Sequence, residues 1–272
     1  MRVMTRRPAV AGTFYPADPD ELRHDIDLLT AMRRPPSEPR ARALLVPHAG
    51  YIYSGHIAAE TYLSARLPSR FVILGPNHTG EGEAIALMTE GSWSLPMGDV
   101  PIDSGLASAI LTRCPAARAD AAAHRREHSL EVQVPFLQRL RGEFRFVPIC
   151  VGTHRLPQLL ELGRAVAEAI EAAADEVLLV LSSDMSHYIP ASLAESLDRR
   201  AIDRLLAIDP EGLHRVVRQE GISMCGVAPA VAGLEASRRL GAVSARLVAY
   251  GNSGERTGDF DAVVGYAGVA IF

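Results

Sequence analysis

The sequence contains no lysine, so all 28 of its basic residues are arginine. This absence excludes mechanisms that need a lysine amine: Schiff-base catalysis, a lysine general base and the lysine of a phosphate-binding loop. The sequence also lacks a glycine-rich phosphate loop and a glycine triad that opens a helix after a strand. Enzymes built on these nucleotide-binding motifs are therefore not expected.

Strong net charge, long apolar runs and paired cysteines are also missing. A net charge of −4 argues against a general nucleic-acid-binding protein. No apolar run approaches the ~18 residues that a membrane span needs. The three cysteines are odd in number and widely spaced, and no signal peptide precedes them. The sequence thus predicts free thiols in a reducing cytoplasm.

Short apolar runs alternate with amphipathic helical patterns along the whole chain. Apolar runs that end in Pro, Gly or Ser predict buried strands of a parallel sheet, and the patterns between them predict helices. Residues 93–101 are predicted to be loop, and residues 33–39 are the only clear linker. We expect one domain over residues 1–272. Its predicted fold is an α/β three-layer sandwich with a mostly parallel central sheet, helices on both faces and an antiparallel edge formed by the last two strands.

Three histidines follow the carboxyl ends of predicted strands. His48 ends the run that begins at Ala43, His78 ends the run that begins at Phe71, and His187 follows the run 177–181. Side chains at this edge of a parallel sheet share the crevice in which α/β proteins bind ligands. The pattern indicates a metal site or an acid/base site. For each histidine alone, a purely structural hydrogen bond to the loop is the alternative.

Other candidates occur in polar segments near these strands. Cys225 begins an apolar helix, a position that lowers a thiol pKa, although an inert buried thiol is the commoner outcome. Asp184 precedes His187 by three residues and could orient its ring, or could simply cap a helix. His128 and Glu131 are predicted to share one face of a helix over 128–141, which is bent or starts near Pro135. They could be metal ligands, and a hydrogen-bonding role in the pocket is favoured.

Six motifs in fixed order identify a family resemblance that spans nearly the whole chain. They are Ala-Gly-Thr-Phe-Tyr at 11–15, Pro-His-Ala-Gly-Tyr at 47–51, Gly-Pro-Asn-His at 75–78, Glu-His-Ser-Leu-Glu at 127–131, Ser-Ser-Asp-Met-Ser-His at 182–187 and Cys-Gly at 225–226. The set resembles the Memo family, whose prokaryotic members are called AmmeMemoRadiSam system protein B. That family is similar in fold to the class III extradiol non-haem iron dioxygenases.

The resemblance implies a metal site and a set of pocket residues. It implies that His48, His78 and Cys225 bind the metal, with Fe(II) as first choice and copper or zinc as alternatives. It further implies that Asp184, His187 and His128 line the pocket; these three are the predicted catalytic residues. A thiolate would replace the carboxylate of the dioxygenases, so ring cleavage does not follow from the fold. The family name implies a link to radical-SAM and AMMECR-type proteins.

Three functions are compatible with these residues. The first is a metal-dependent redox enzyme, dioxygenase-like, that acts on an unknown small molecule with His187 as acid/base. The second is a module that binds an anionic peptide or a partner in the same pocket without turnover. The third is a cysteine hydrolase in which His187 activates Cys225.

Overall fold

The structure, a computed structural model, describes residues 4–31 and 39–272, so most of the predicted linker 33–39 lies outside the described residues. The strands are β1 Thr5–Arg6, β2 Ala43–Val46, β3 Arg70–Pro76, β4 Ile85–Leu87, β5 Ser92–Leu95, β6 Gly98–Pro101, β7 Arg118–Ala119, β8 Arg145–Val151, β9 Leu178–Ser182, β10 His187–Ile189, β11 Ala245–Asn252 and β12 Val263–Ile271. The α-helices are α1 Pro19–Thr30, α2 Tyr51–Leu63, α3 Ser104–Arg113, α4 Gln133–Arg141, α5 Leu156–Glu171, α6 Ala191–Leu206, α7 Pro210–Glu220, α8 Val227–Arg239 and α9 Gly254–Thr257, and a 3₁₀ helix covers Ala122–His124.

A mixed sheet forms the middle layer. Its strand order is β10-β12-β2-β9-β3-β8-β4-β7, and β11 pairs with β12 outside this path. The central strands β2, β9, β3 and β8 are parallel to one another, whereas β10, β11 and β2 pair with β12 in antiparallel fashion. The residues of β2, β3 and β9 are all buried, as expected for parallel strands covered on both faces. The predicted antiparallel edge at β11 and β12 is confirmed.

Two separate apolar cores lie on the two faces of this sheet. Leu45 and Leu74 belong to the core that contains residues of α3, α5 and α8. Leu44 and Ile73, the residues next to them in the chain, belong to the core that contains residues of α1, α2 and α4. This alternation places helices on both faces, and it confirms the predicted three-layer sandwich. No helix in the described ranges has the length and apolar character that crossing a bilayer requires.

The segment 93–101, predicted to be loop, instead contains a hairpin. Strands β5 and β6 are antiparallel, and β5 also pairs with β1 to form a three-stranded sheet. Pro96 and Met97 form the tight connection between the strands, and Gly98 has a φ of 119°, which favours glycine. The proline and glycine of the segment 93–101 suggest a loop, but the burial of alternate residues, Trp93 and Leu95, stabilises β5 as a strand.

Candidate metal centre

Three adjacent parallel strands bring the site segments together. His48 and His78 each lie two residues beyond the end of their strand, β2 and β3, and residues 183–187 follow β9, which lies between those strands. The carboxyl ends of all three strands meet at one edge, so the predicted convergence is observed. The His48 and His78 ring centroids are 5.3 Å apart.

A third histidine, His128, completes a group that could hold a metal ion. One ring nitrogen each from His48, His78 and His128 lie within 4.8 Å of one another. The His128 ring centroid is 4.6 Å from that of His78 and 5.6 Å from that of His48. Residues 129–132 form turns, and α4 begins at Gln133, close to the predicted alternative start near Pro135. The predicted helical face shared by His128 and Glu131 is therefore absent. These turns direct His128 into the cavity.

Hydrogen bonds fix the tautomer of His48. Its Nδ1 lies 2.9 Å from the Ser182 hydroxyl, which donates its own proton to the Ser129 carbonyl at 2.6 Å. The same hydroxyl accepts a hydrogen bond from the Gln133 amide at 2.9 Å. Because the Ser182 hydroxyl has one proton and donates it to a carbonyl, its oxygen can only accept in the contact with His48. His48 Nδ1 therefore carries a hydrogen and donates it to Ser182. The lone pair of His48 is thus on Nε2, which is the atom available to a metal.

The buried carboxylate of Glu127 orients His78. It accepts hydrogen bonds from His78 Nδ1 at 2.9 Å, from the His78 backbone N–H at 2.6 Å and from the Ser129 N–H at 2.8 Å. Burial alone would raise its pKa, but the His78 contact and the other donors hold the pKa of Glu127 at about 2. His128 Nδ1 lies 3.5 Å from the same carboxylate. A carboxylate behind a histidine is the usual outer support of a metal ligand.

The electrostatics favour neutral imidazoles. Burial, and then the neighbouring rings of His128 and His78, lower the pKa of His48 well below its ordinary value. Burial also lowers the pKa of His128, which the nearby Glu127 partly opposes. Only a neutral imidazole can donate its lone pair, so these shifts prepare the rings to bind a metal.

Cys225 lies beside this group without belonging to it. Its Sγ is 3.2 Å from His48 Nε2 and accepts a hydrogen bond from the Asp184 N–H at 3.3 Å. Burial, and then the Asp184 carboxylate, raise the pKa of the Cys225 thiol. The expected lowering by the α8 N-terminus is therefore wrong: loss of hydration outweighs the two backbone hydrogen bonds that favour the thiolate.

Asp184 and His187 both reach the cavity, but they are held by different groups. Asp184 accepts a hydrogen bond from the His48 backbone N–H at 2.7 Å, and burial raises its pKa to about 6. The His187 ring is oriented by the Ser223 carbonyl, 2.9 Å from Nδ1, so Asp184 does not supply the predicted orienting hydrogen bond. Because a carbonyl only accepts, His187 Nδ1 carries a proton and Nε2 is the free acceptor.

Glu131 lies outside the metal group and binds the amino-terminal segment 6–15, here called the amino-terminal arm. Its carboxylate pairs with Arg6 at 2.7 Å and accepts hydrogen bonds from the Tyr15 hydroxyl and the Ala9 and Val10 N–H groups. The arm in turn places the Phe14 ring 4.8 Å from that of His128. Glu131 thus positions a wall of the cavity.

The histidines open into a cavity of about 600 Å³. It is lined by Phe14, His48, Ala49, Gly50, Tyr53, His78, His128, Asp184, His187, Tyr188, Ser253, Thr257, Val264 and Tyr266. A depression of about 690 Å³ elsewhere, beside Met97 and Phe144, has no histidine or cysteine in its described lining. The chemistry is therefore concentrated in the smaller cavity.

Glu127, Ser182 and Ser223 are the site residues that the sequence interpretation missed. Glu127 and Ser182 stand inside the motifs that carry the family resemblance, so the motifs were a signal for them. Ser223 has no such signal, because its contact with His187 joins two segments that only the fold brings together.

Comparisons with known proteins agree with the motif pattern. The family model described as Memo-like protein matches residues 6–270. A MEMO1 family protein of Aquifex aeolicus is 46% identical over 270 residues, covering 99% of both chains. One of Methanopyrus kandleri is 42% identical over 280 residues, covering 98% of this chain and 99% of its own.

The fold has a solved counterpart. The crystal structure of the uncharacterized protein JW3007 from Escherichia coli K12 superposes with a TM-score of 0.56 at 15% identity, covering 85% of this chain and 99% of that one. This likeness concerns the fold alone, whereas the sequence matches extend over almost every residue. The chain therefore belongs to the Memo-like family.

Proposed function

We propose that this protein binds one transition-metal ion through His48, His78 and His128 and uses it in redox chemistry on a small molecule. The observation that carries the proposal is the set of three ring nitrogens within 4.8 Å of one another. The donor set fits such an ion, because imidazole suits iron, copper and zinc. Outer hydrogen bonds at Nδ1 of His48 and His78 leave Nε2 of each ring for such an ion. Fe(II) is the first choice on the family resemblance.

Cys225 is a second candidate for the third ligand. It is favoured by the 3.2 Å contact between its sulfur and His48 Nε2, and by the family resemblance. A thiolate would shift the preference towards softer ions such as Cu(I) or Zn(II). Both sets share His48 and His78, and they differ in whether an imidazole or a thiolate completes the site.

The metal would supply Lewis acidity and one-electron redox chemistry, and the chain would supply orientation and proton transfer. His187 would hold or accept a proton at Nε2, because Ser223 occupies Nδ1. Asp184, whose pKa burial raises to about 6, would exchange a proton near neutral pH. Phe14 and the other aromatic residues of the lining would limit the access of water.

The geometry gives less support to the two alternatives. A cysteine hydrolase with His187 as its base is not supported, because Ser223 holds the His187 ring. His48 lies beside the Cys225 thiol instead, but burial lowers the pKa of this imidazole and raises the pKa of the thiol, which disfavours proton transfer between them. A site for an anionic peptide needs cations, and the described cavity lining contains no arginine. The cytoplasmic location and the link to radical-SAM and AMMECR-type proteins stay predictions from the sequence.

Metal analysis of protein purified without oxygen tests the proposal. We expect about one equivalent of metal in the wild type, and a loss of at least tenfold in affinity in His48→Ala and His78→Ala. His24→Ala is the matched control, because His24 is exposed on α1, away from the site. Comparison of His128→Ala with Cys225→Ser identifies the third ligand. Full metal retention in His48→Ala would contradict the proposal.

A further inference from the structure

Four aromatic side chains share the cavity with the histidines. Phe14, Tyr53, Tyr188 and Tyr266 all belong to its lining. Tyr266 is buried and Tyr53 is 37% exposed, whereas Tyr188 is 77% exposed. The aromatic lining therefore extends from the buried interior to the solvent, and Tyr188 is its outermost member.

The backbone of Tyr188 is strained in a way that turns the residue out of the sheet. Its φ is 57°, in the left-handed region that bulky residues rarely adopt. The pairing of β10 with β12 shifts register between His187 and Ile189, so Tyr188 is the extra residue of a β-bulge. Bulges commonly re-aim a side chain beside a functional site.

The segments on both sides of Tyr188 are fixed. The backbone N–H of His187 donates to the Ser223 hydroxyl at 2.8 Å, and Ile189 is paired with Val263. The strained conformation is thus imposed by its neighbours, yet the exposed ring gains little packing in return. An unfavourable conformation that ends in an exposed aromatic ring at a cavity mouth points to contact with a ligand.

The charge of the cavity narrows the chemistry of that ligand. The chain has no lysine, and the described lining has no arginine, so no basic side chain of fixed charge is present to pair with an anionic ring at the mouth. The metal ion of the proposed function would lie among the histidines, at the reacting end of the molecule. The one carboxylate of the lining, Asp184, already accepts a hydrogen bond from the His48 N–H. Aromatic faces stack on a flat, unsaturated ring and offer no partner to an anionic one.

We propose that Tyr188 is a specificity-determining residue that stacks on a flat, unsaturated and uncharged ring of the substrate. The ring would lie at the cavity mouth, with the reacting end of the molecule directed towards the three histidines. This inference rests on the proposed function for the identity of that reacting end. The stacking itself depends only on the bulge, the exposed ring and the aromatic lining.

Two uncharged probes of matched skeleton test this inference by calorimetric titration. 2-Naphthol is flat, and decahydro-2-naphthol is its saturated, puckered counterpart. Stacking between aromatic rings predicts that the wild type and Tyr188→Phe bind 2-naphthol roughly 2- to 12-fold more tightly than they bind decahydro-2-naphthol. In Tyr188→Leu the two affinities should agree within about twofold. Phe260→Leu, a change of an exposed aromatic residue outside the lining, should keep the wild-type preference.

Tyr188→Asn is the second variant, because asparagine tolerates the left-handed conformation and lacks the ring. It should lose the preference while keeping the melting temperature of the wild type. An unchanged preference in Tyr188→Leu and Tyr188→Asn, or a wild type that does not distinguish the probes, overturns the inference. Metal content is measured on each sample. If the protein is metal-free and prefers 2-naphthol only when Tyr188 is present, the proposed function is refuted and this inference stands. If the protein binds metal but does not distinguish the two probes, this inference is refuted and the proposed function stands.

Discussion

Replacement of Glu127 by glutamine should weaken metal binding although Glu127 itself binds no metal in our account. The carboxylate accepts three hydrogen bonds, two at Oε1 from His78 Nδ1 and Ser129 N–H and one at Oε2 from the His78 N–H. Glutamine has one oxygen, so in either orientation its amide nitrogen faces at least one of these donors. The substitution therefore leaves a buried N–H without a partner and removes the charge behind the His78 ring.

The magnitude follows from the two losses. Loss of the outer carboxylate of a ligand histidine costs about 10- to 100-fold in metal affinity, or about 1.4–2.7 kcal/mol. The unpaired donor should lower the free energy of unfolding of the metal-free protein by about 1–3 kcal/mol, because Glu127 is fully buried. The two effects are separable, since the second needs no metal.

Chelator competition with Zn(II), which avoids oxidation, measures the first effect, and urea unfolding of the metal-free protein measures the second. Glu143→Gln is the control, because Glu143 is exposed and lines the other depression and not the cavity of the histidines. If Glu127→Gln stays folded and binds Zn(II) within twofold of the wild type, the support assigned to Glu127 is refuted.

Two further predictions concern buried groups that shape the site. Burial lowers the pKa of His124 to about 4, and neither ring nitrogen makes a hydrogen bond of good geometry, although the Ala86 carbonyl slightly opposes the shift. The folded state thus resists protonation, so stability is complete above pH ~6.5 and falls as the pH drops towards ~4. Urea unfolding at pH ~7 and pH ~5 measures how far the free energy of unfolding falls between these pH values. In His124→Leu this decrease should be about 2 kcal/mol smaller than in the wild type, whereas in the control His24→Leu it should equal that of the wild type. Glu131→Gln should lower the free energy of unfolding by about 3–5 kcal/mol, because it leaves the charge of Arg6 buried without its partner. An Arg6→Met, Glu131→Gln double variant removes the buried charge and keeps one side-chain oxygen for Tyr15 and the Val10 N–H. If it is as unstable as Glu131→Gln alone, this account of the pair is contradicted.

The layers of the fold follow from the sequence because burial imposes a simple pattern on it. Fully apolar runs such as 43–46 and 71–74 are typical of strands covered on both faces, and they are central strands in the structure. The hairpin 92–101 escaped prediction because a hairpin with proline and glycine resembles loop.

The ligand candidates were partly predictable, and their supports were not. His48 and His78 follow parallel strands, so topology alone brings them to one edge. His128 comes from a turn that no strand pattern locates, and only the motif drew attention to it. The contacts of Ser182 with His48 and of Ser223 with His187 join residues more than thirty positions apart, which local patterns do not report.

Anomalous diffraction from crystals of the anaerobically purified protein, collected on both sides of the absorption edge of the metal found, tests the central claim most directly. Our account predicts one strong peak within about 2.0–2.3 Å of a ring nitrogen of both His48 and His78, completed by His128 or by the Cys225 sulfur. A peak at any other place on the chain, or no peak in protein whose three histidines are intact, would contradict it.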